Sequence, residues 1–230
     1  MQPAGPSSQT PSGAARRIAI IGSGTAGHVS PALAIADTYQ KTSANVDVLF
    51  LGNARCFEAQ LLPTLGHRLA LIQGAPLYGV GMVGKLRAML CLAIGIYQAR
   101  HILHSYGAQL VISLGGFTSA SVVLAARSLG LPTVIHEANI VPGLTNQLLG
   151  RFVQRVYLGF AGAGWAFAPH HTRVTGNPIR PDIVQLHLSP RLAPASEKRP
   201  AHILVTGGSQ GSHFLNRHVP ELLSLSLIHI

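Results

Sequence analysis

With 230 residues, 47% hydrophobic content and a net charge of +10 from 17 Lys and Arg against 7 Asp and Glu, the chain can bury one full domain and part of another, which excludes a disordered polymer. The basic surface attracts anions, yet aromatic residues are only 6% and no basic run with interleaved aromatics or zinc-ligand spacing occurs, so no nucleic-acid partner is expected. Two lone cysteines, Cys56 and Cys91, lack C-x-x-C spacing and fit reduced thiols in a cytoplasmic protein, with no disulfide.

Residues 1–15, rich in Pro, Ser, Gly and Gln, have no apolar signal-peptide core and read as a disordered leader. A strand at 18–21 runs into Gly22-Ser-Gly24-Thr25-Ala26-Gly27-His28, and Pro31 opens a helix to residue 40. Further strands are expected at 46–51, 68–72, 110–114, 133–136 and 153–158, with helices at 84–105, 118–128 and 143–150. This alternation predicts an α/β domain over residues 16–177, a Rossmann-like, doubly wound parallel sheet with helices on both faces. Residues 178–200 contain Pro178, Pro181, Pro190, Pro194 and Pro200 and read as an interdomain linker. A strand at 203–206, the turn Gly207-Gly208-Ser209-Gln210-Gly211-Ser212 and a helix from His213 make residues 201–224 the first strand-loop-helix of a second lobe. One such unit cannot bury a core, so the chain is expected to be truncated and inactive alone. Residues 225–230 resemble an in-frame sequencing adapter, the other reading being a genuine next strand.

Two glycine corners each follow a strand and open a helix, where backbone N–H groups and the helix dipole favour a phosphate. Residues 22–27 match G-x-G-x-x-G literally, the fingerprint of a dinucleotide site. Such a site also needs an acid at the end of the second strand to hold a ribose, and Leu51-Gly52-Asn53-Ala54-Arg55 has none. His28 sits at the helix entrance, where the dipole disfavours its charged form, as suits a general base. Its other reading is a histidine that merely caps the turn. Polar clusters at three further strand ends, residues 115–119, 136–146 and 176–180, fall where ligands collect in open α/β sheets. Glu137, one of seven acids, is either a second acid–base group or a structural partner. No D-x-D pair occurs, so a metal bound to the donor phosphates through such a pair is not expected, and no cofactor is expected.

In order, residues 22–31, 52–58, 115–117, 136–146, 176–180 and 207–216 resemble the MurG family patterns GGTGGH-x-x-P, GT-x-x-x-x-E, GGY, HEQN with GLTN, GNPVR and GGSQGA-x-x-LN. Ser23, Ala26, Asn53, Phe117, Ala138 and Ser212 depart from those patterns. The resemblance covers residues 17–216 and implies a GT-B-type inverting N-acetylglucosaminyltransferase of peptidoglycan synthesis. Such an enzyme moves N-acetylglucosamine from its UDP donor to undecaprenyl-pyrophosphoryl-N-acetylmuramyl-pentapeptide, converting lipid I to lipid II. By resemblance, His28 and Glu137 are the catalytic candidates. Thr25, Ala26, Gly27, Asn139, Arg180 and Ser209 would contact UDP-N-acetylglucosamine. Gly24, Gly115, Gly116, Thr145 and Asn146 would form an acceptor or phosphate loop.

Residues 77–83, including Leu77, Tyr78, Met82 and Val83, lead through Lys85 and Arg87 into an apolar run at 88–97, too short to span a bilayer. Lying flat on an anionic membrane, they would make the protein peripheral at the cytoplasmic face of the bacterial inner membrane. The alternative is a core helix, with Leu86, Met89, Leu90, Ala93 and Tyr97 partly buried. The rival functions are a nicotinamide or flavin oxidoreductase and a non-catalytic basic membrane or nucleic-acid module.

Overall fold

The computed structural model describes residues 15–43, 45–76, 81–188, 204–207 and 212–227. The chain divides into two compact units, Met1–Ile183 and Val184–Ile230. The first holds a seven-stranded parallel sheet: β1 (Arg16–Ile21), β2 (Val46–Gly52), β3 (Arg68–Leu71), β4 (Leu110–Ser113), β5 (Thr133–Glu137), β6 (Arg155–Leu158) and β7 (Thr172–Val174), in spatial order β3-β2-β1-β4-β5-β6-β7. Between them run helices α1 (Ala26–Thr42), α2 (Phe57–Thr64), α3 (Met82–Tyr106), α4 (Ser119–Ser128) and α5 (Leu144–Leu149).

The central strands are apolar on both sides because both faces are covered. Ile18 and Ile20 of β1 pack with Val29 and Leu33 of α1 and Leu62 of α2. Ala19 and Ile21 pack on the other face, with Ala99 and Leu103 of α3 and Val122 of α4. β1 lies between β2 and β4, and the chain winds outward in opposite directions from β1 and β4. The crevice at their carboxyl ends is therefore the topological switch point, the usual ligand position in such sheets.

Three elements escape the sequence pattern: α2, β7, and α6 (Pro181–Leu188), which forms within the stretch expected to be an irregular linker. The second unit includes α7 (His213–Leu227), with Pro220 inside it. Residues 204–206 of the expected strand at 203–206 form no strand, and Ile203 lies outside the described residues.

The reading of α3 as a partly buried large-residue stripe is corrected. Leu86, Met89, Leu90 and Tyr97 are 62%, 61%, 60% and 76% exposed, while Ala88, Gly95, Ala99 and Leu103 face inward. Close packing selects the small residues, since a Cβ on Gly95 would come within 2.6 Å of Ser121 Oγ on α4. At 25 residues and a mean hydropathy of 1.2, α3 is long and apolar enough to cross a membrane. Its buried side nevertheless packs into the cluster that contains Ile21 and Val111 of the sheet.

Candidate functional site

At the switch point the β1–α1 turn meets the β4–α4 turn. The Ser23 backbone N–H donates to Gly115 O at 3.2 Å, and Gly24, Gly115 and Gly116 adopt φ of +104°, +102° and +93°. Gly116 is required twice over, because its φ is left-handed and a Cβ there would collide with Ser23 O. Ser23 and Ala26 have ordinary φ, so their side chains cost the loop no backbone strain.

The turn is underpinned by a buried carboxylate to which the sequence pattern assigns no role. Glu58 Oε1 accepts from Ser23 Oγ at 2.6 Å and from Asn53 N at 3.1 Å, while Oε2 accepts from Gly24 N at 3.1 Å. Ser23 Oγ also contacts Thr118 Oγ1 at 3.2 Å, which ties α4 to the same knot. The Gly24 N–H, expected to face a phosphate, is thus directed at Glu58. Of the expected cradle, the amides of Thr25, Ala26 and Gly27 remain at the α1 N-terminus, whose first turn has no internal acceptor for them. The available signal for Glu58 was its place as the closing acid of the GT-x-x-x-x-E pattern at residues 52–58.

His28 stands in the first turn of α1. A Cβ on Gly115 would lie 3.2 Å from both His28 Nε2 and Asn146 Nδ2, so both side chains converge above that glycine. Thr25 Oγ1 lies 3.4 Å from His28 Nδ1. Burial holds the imidazole below the ordinary histidine value, opposed by Glu137, a hydrogen bond to the Ser23 backbone and Glu58. Desolvation is the first cause of this shift.

Glu137, at the end of β5 and 1% exposed, accepts four hydrogen bonds. Asn139 donates its N and Nδ2 to Oε1 at 2.8 and 2.9 Å, and Gly143 N and Asn146 Nδ2 donate to Oε2 at 3.0 and 2.9 Å. This is the geometry of a loop anchor. Asn146 Oδ1 is buried and has no partner among the described residues. Thr145 is half-buried beside it, and Asn139 is exposed.

The 176–180 segment is tied to the β5 exit by His136 Nε2 donating to Gly176 O at 3.1 Å and Asn177 Nδ2 donating to Ala138 O at 3.1 Å. It carries Arg180, paired with Asp182 at 3.1 Å. The structure therefore gathers the β1, β4, β5 and β7 exits along one edge. Ser209, Leu77 and Tyr78 lie outside the described residues, whereas Met82 and Val83 are both 83% exposed and Lys85 and Arg87 are exposed beside them.

Residues 18–158 match the glycosyltransferase family 28 N-terminal domain. The chain belongs to glycosyltransferase family 28. The resemblance to MurG holds across relatives of this family 28 chain. It is 41% identical over 207 residues to a protein of Citrifermentans bemidjiense, covering 90% of this chain and 57% of the relative, and 41% identical over 208 residues to one of Chromohalobacter salexigens, covering 90% and 56%. Both are named UDP-N-acetylglucosamine--N-acetylmuramyl-(pentapeptide) pyrophosphoryl-undecaprenol N-acetylglucosamine transferase. The crystal structure of Acinetobacter baumannii MurG superposes with a TM-score of 0.69 at 28% identity, over 90% of this chain and 57% of that one. A Neisseria meningitidis UDP-GlcNAc 2-epimerase shares the fold, with a TM-score of 0.54 at 15% identity over 75% of this chain and 49% of that one. The family 28 chain thus has the Rossmann-like N-terminal lobe of a GT-B glycosyltransferase and spans rather more than half the length of the transferase relatives.

Two histidines of this domain, the half-buried His28 and the buried His136, contribute to its acid sensitivity. His136, like His28, is pushed below its ordinary value by burial, against a hydrogen bond to Gly176 and the charge of Glu137. In the window below the unfolded value of about 6.5, the unfolded chain binds more protons at both positions than the folded one, so folded stability falls as pH drops. The urea midpoint is expected to decrease from pH 7 to pH 5, and by less in His136→Gln.

Proposed function

We propose that this chain is the acceptor-binding lobe of the enzyme that transfers N-acetylglucosamine from UDP-N-acetylglucosamine to undecaprenyl-pyrophosphoryl-N-acetylmuramyl-pentapeptide. The observation that carries this reading is a desolvated, neutral His28 converging with Asn146 over Gly115 at the switch point. A neutral imidazole can take the proton of the acceptor 4-hydroxyl. The freed oxygen pair then bonds to the anomeric carbon as the bond to UDP breaks, with inversion, and the proton stays on His28 or on a water it orients. Asn146 Oδ1 offers an acceptor to a sugar hydroxyl or amide. The Thr25–Gly27 amides, Asn139 and Arg180 are the donor contacts of this lobe, and charge developing on UDP is met by Arg180 and the α1 N-terminus. Glu58 and Glu137 act as positioning residues that hold the two turns in register.

The exposed α3 face supplies the route to a lipid-linked acceptor. Met82, Val83, Leu86 and Leu90 stand beside Lys85 and Arg87, a combination suited to peripheral contact with the anionic cytoplasmic face of the bacterial inner membrane. Lys85→Glu with Arg87→Glu is expected to weaken binding to phosphatidylglycerol vesicles by at least about 30-fold and to flatten its salt dependence, at about 1 kcal/mol per basic residue removed. Unchanged vesicle binding contradicts the membrane role.

Transfer itself is tested by completing this chain with the C-terminal portion of a relative and following labelled N-acetylglucosamine. Lipid-linked product is expected, and no transfer by a folded chimera that binds UDP contradicts the reading.

A further inference from the structure

Next to the Glu58 knot, the β2–α2 loop, the β3 exit and α3 enclose a pocket of about 310 Å³ whose lining includes Asn53, Arg55, Gln73, Gly74, Arg87 and Cys91. Among the described residues no carboxylate lines it and neither arginine pairs with an acid, the ion pairs being Arg68–Asp47, Arg180–Asp182 and His218–Glu221. Its wall is rigid, because Asn53 Nδ2 donates to Ile72 O at 3.3 Å and to Gly74 O at 3.2 Å. The volume lies at the lower end for ligand sites, about 300–1,000 Å³, and suits a compact anion better than a nucleotide sugar.

The surroundings identify the anion. On one side a Cβ on Gly74 would stand 3.0 Å from Thr118 Oγ1, which contacts Ser23 beside the glycine turn that leads to His28. On the other side Arg87 belongs to the end of α3 that exposes Met82, Val83, Leu86 and Leu90. The molecule therefore presents, in order, a proton acceptor, a two-arginine pocket and an apolar ramp. A sugar pyrophosphoryl prenol has its parts in that same order. The Gly24 N–H is meanwhile occupied by Glu58, which weakens the glycine turn as a competing phosphate site.

We propose that this pocket is the subsite for the pyrophosphate of a prenyl-linked acceptor, clamped by Arg55 and Arg87, an inference that rests on the acceptor reading above. Guanidinium forks suit phosphate oxygens through paired, charge-assisted hydrogen bonds. Phosphate chemistry is shared with lipid headgroups, so the test must separate the two.

Cys91 lines the pocket and is half-buried, which makes it a local reporter once Cys56 is replaced by Ser. The rate at which iodoacetamide alkylates Cys91 in the 230-residue chain is measured with geranyl pyrophosphate, inorganic pyrophosphate, geraniol or phosphatidylglycerol vesicles. Geranyl pyrophosphate is expected to slow labelling at least fivefold and inorganic pyrophosphate by less, with geraniol inert. Arg55→Ala with Arg87→Ala should bring the ratio of labelling rates without and with ligand to about one while leaving the circular dichroism spectrum unchanged. Lack of protection by either pyrophosphate overturns the assignment in the parent chain alone, as does protection that survives the double substitution. Equal protection by phosphatidylglycerol vesicles that Arg55→Ala alone abolishes reassigns the pocket to a headgroup and overturns it too. A chimera that transfers sugar while its Cys91 is unprotected would refute the subsite alone, and protection without transfer would refute only the transferase reading.

Discussion

Replacing His28 with alanine in the completed enzyme is expected to lower kcat by about 10²–10⁴-fold while leaving the donor KM within about twofold. The imidazole is neutral because it is desolvated, so it enters the reaction ready to accept a proton. The acid limb of the pH–rate profile should fall below pH 6.5, the direction in which burial moves His28, and vanish in the variant. A histidine that merely packs against the turn would lose stability by about 0.5–2 kcal/mol with kcat intact. Steady-state kinetics beside a urea titration distinguish these outcomes.

Glu137→Ala is expected to act in the opposite way, through the fold. Its carboxylate satisfies the buried Asn146 Nδ2 and the Gly143 N–H as well as two donors from Asn139. A buried donor left without its acceptor costs about 1–3 kcal/mol, and Asn139, being exposed, can turn to water. A loss on the order of 3 kcal/mol should therefore appear in urea unfolding, with activity falling because Asn146 and the 139–146 loop lose their anchor. Glu137→Gln should share much of this loss, since an amide NH₂ would face donors. A Glu137→Gln enzyme that kept its stability but lost all turnover, beside an active His28→Ala enzyme, would make Glu137 the base and leave His28 to position the acceptor.

How much of this could be read from the residues depended on burial. The inner strands declare themselves because both faces are covered and every position is apolar, as in Ile18 to Ile21 and Leu110 to Ile112. β7 carries Arg173 and Val174 exposed at the sheet edge, and so presents no apolar run. The direction of α3 was misread because apolar periodicity reports a face without saying which neighbour it meets. Its close approach to α4 at Gly95 requires small residues, which leaves the large ones outside. His28 and the polar strand ends were legible because glycine turns after strands have few other uses. The pattern at 52–58 includes Glu58 but not its role, which lies in three hydrogen bonds to groups up to 35 residues away.

The most direct test of the acceptor-lobe assignment is equilibrium binding of a short-chain prenyl-pyrophosphoryl-N-acetylmuramyl-pentapeptide to the 230-residue chain, with UDP-N-acetylglucosamine as the comparison. The assignment predicts saturable binding of the acceptor that weakens at least tenfold in Asn146→Ala, together with far weaker binding of the donor. Tight donor binding with no detectable binding of the acceptor would contradict it.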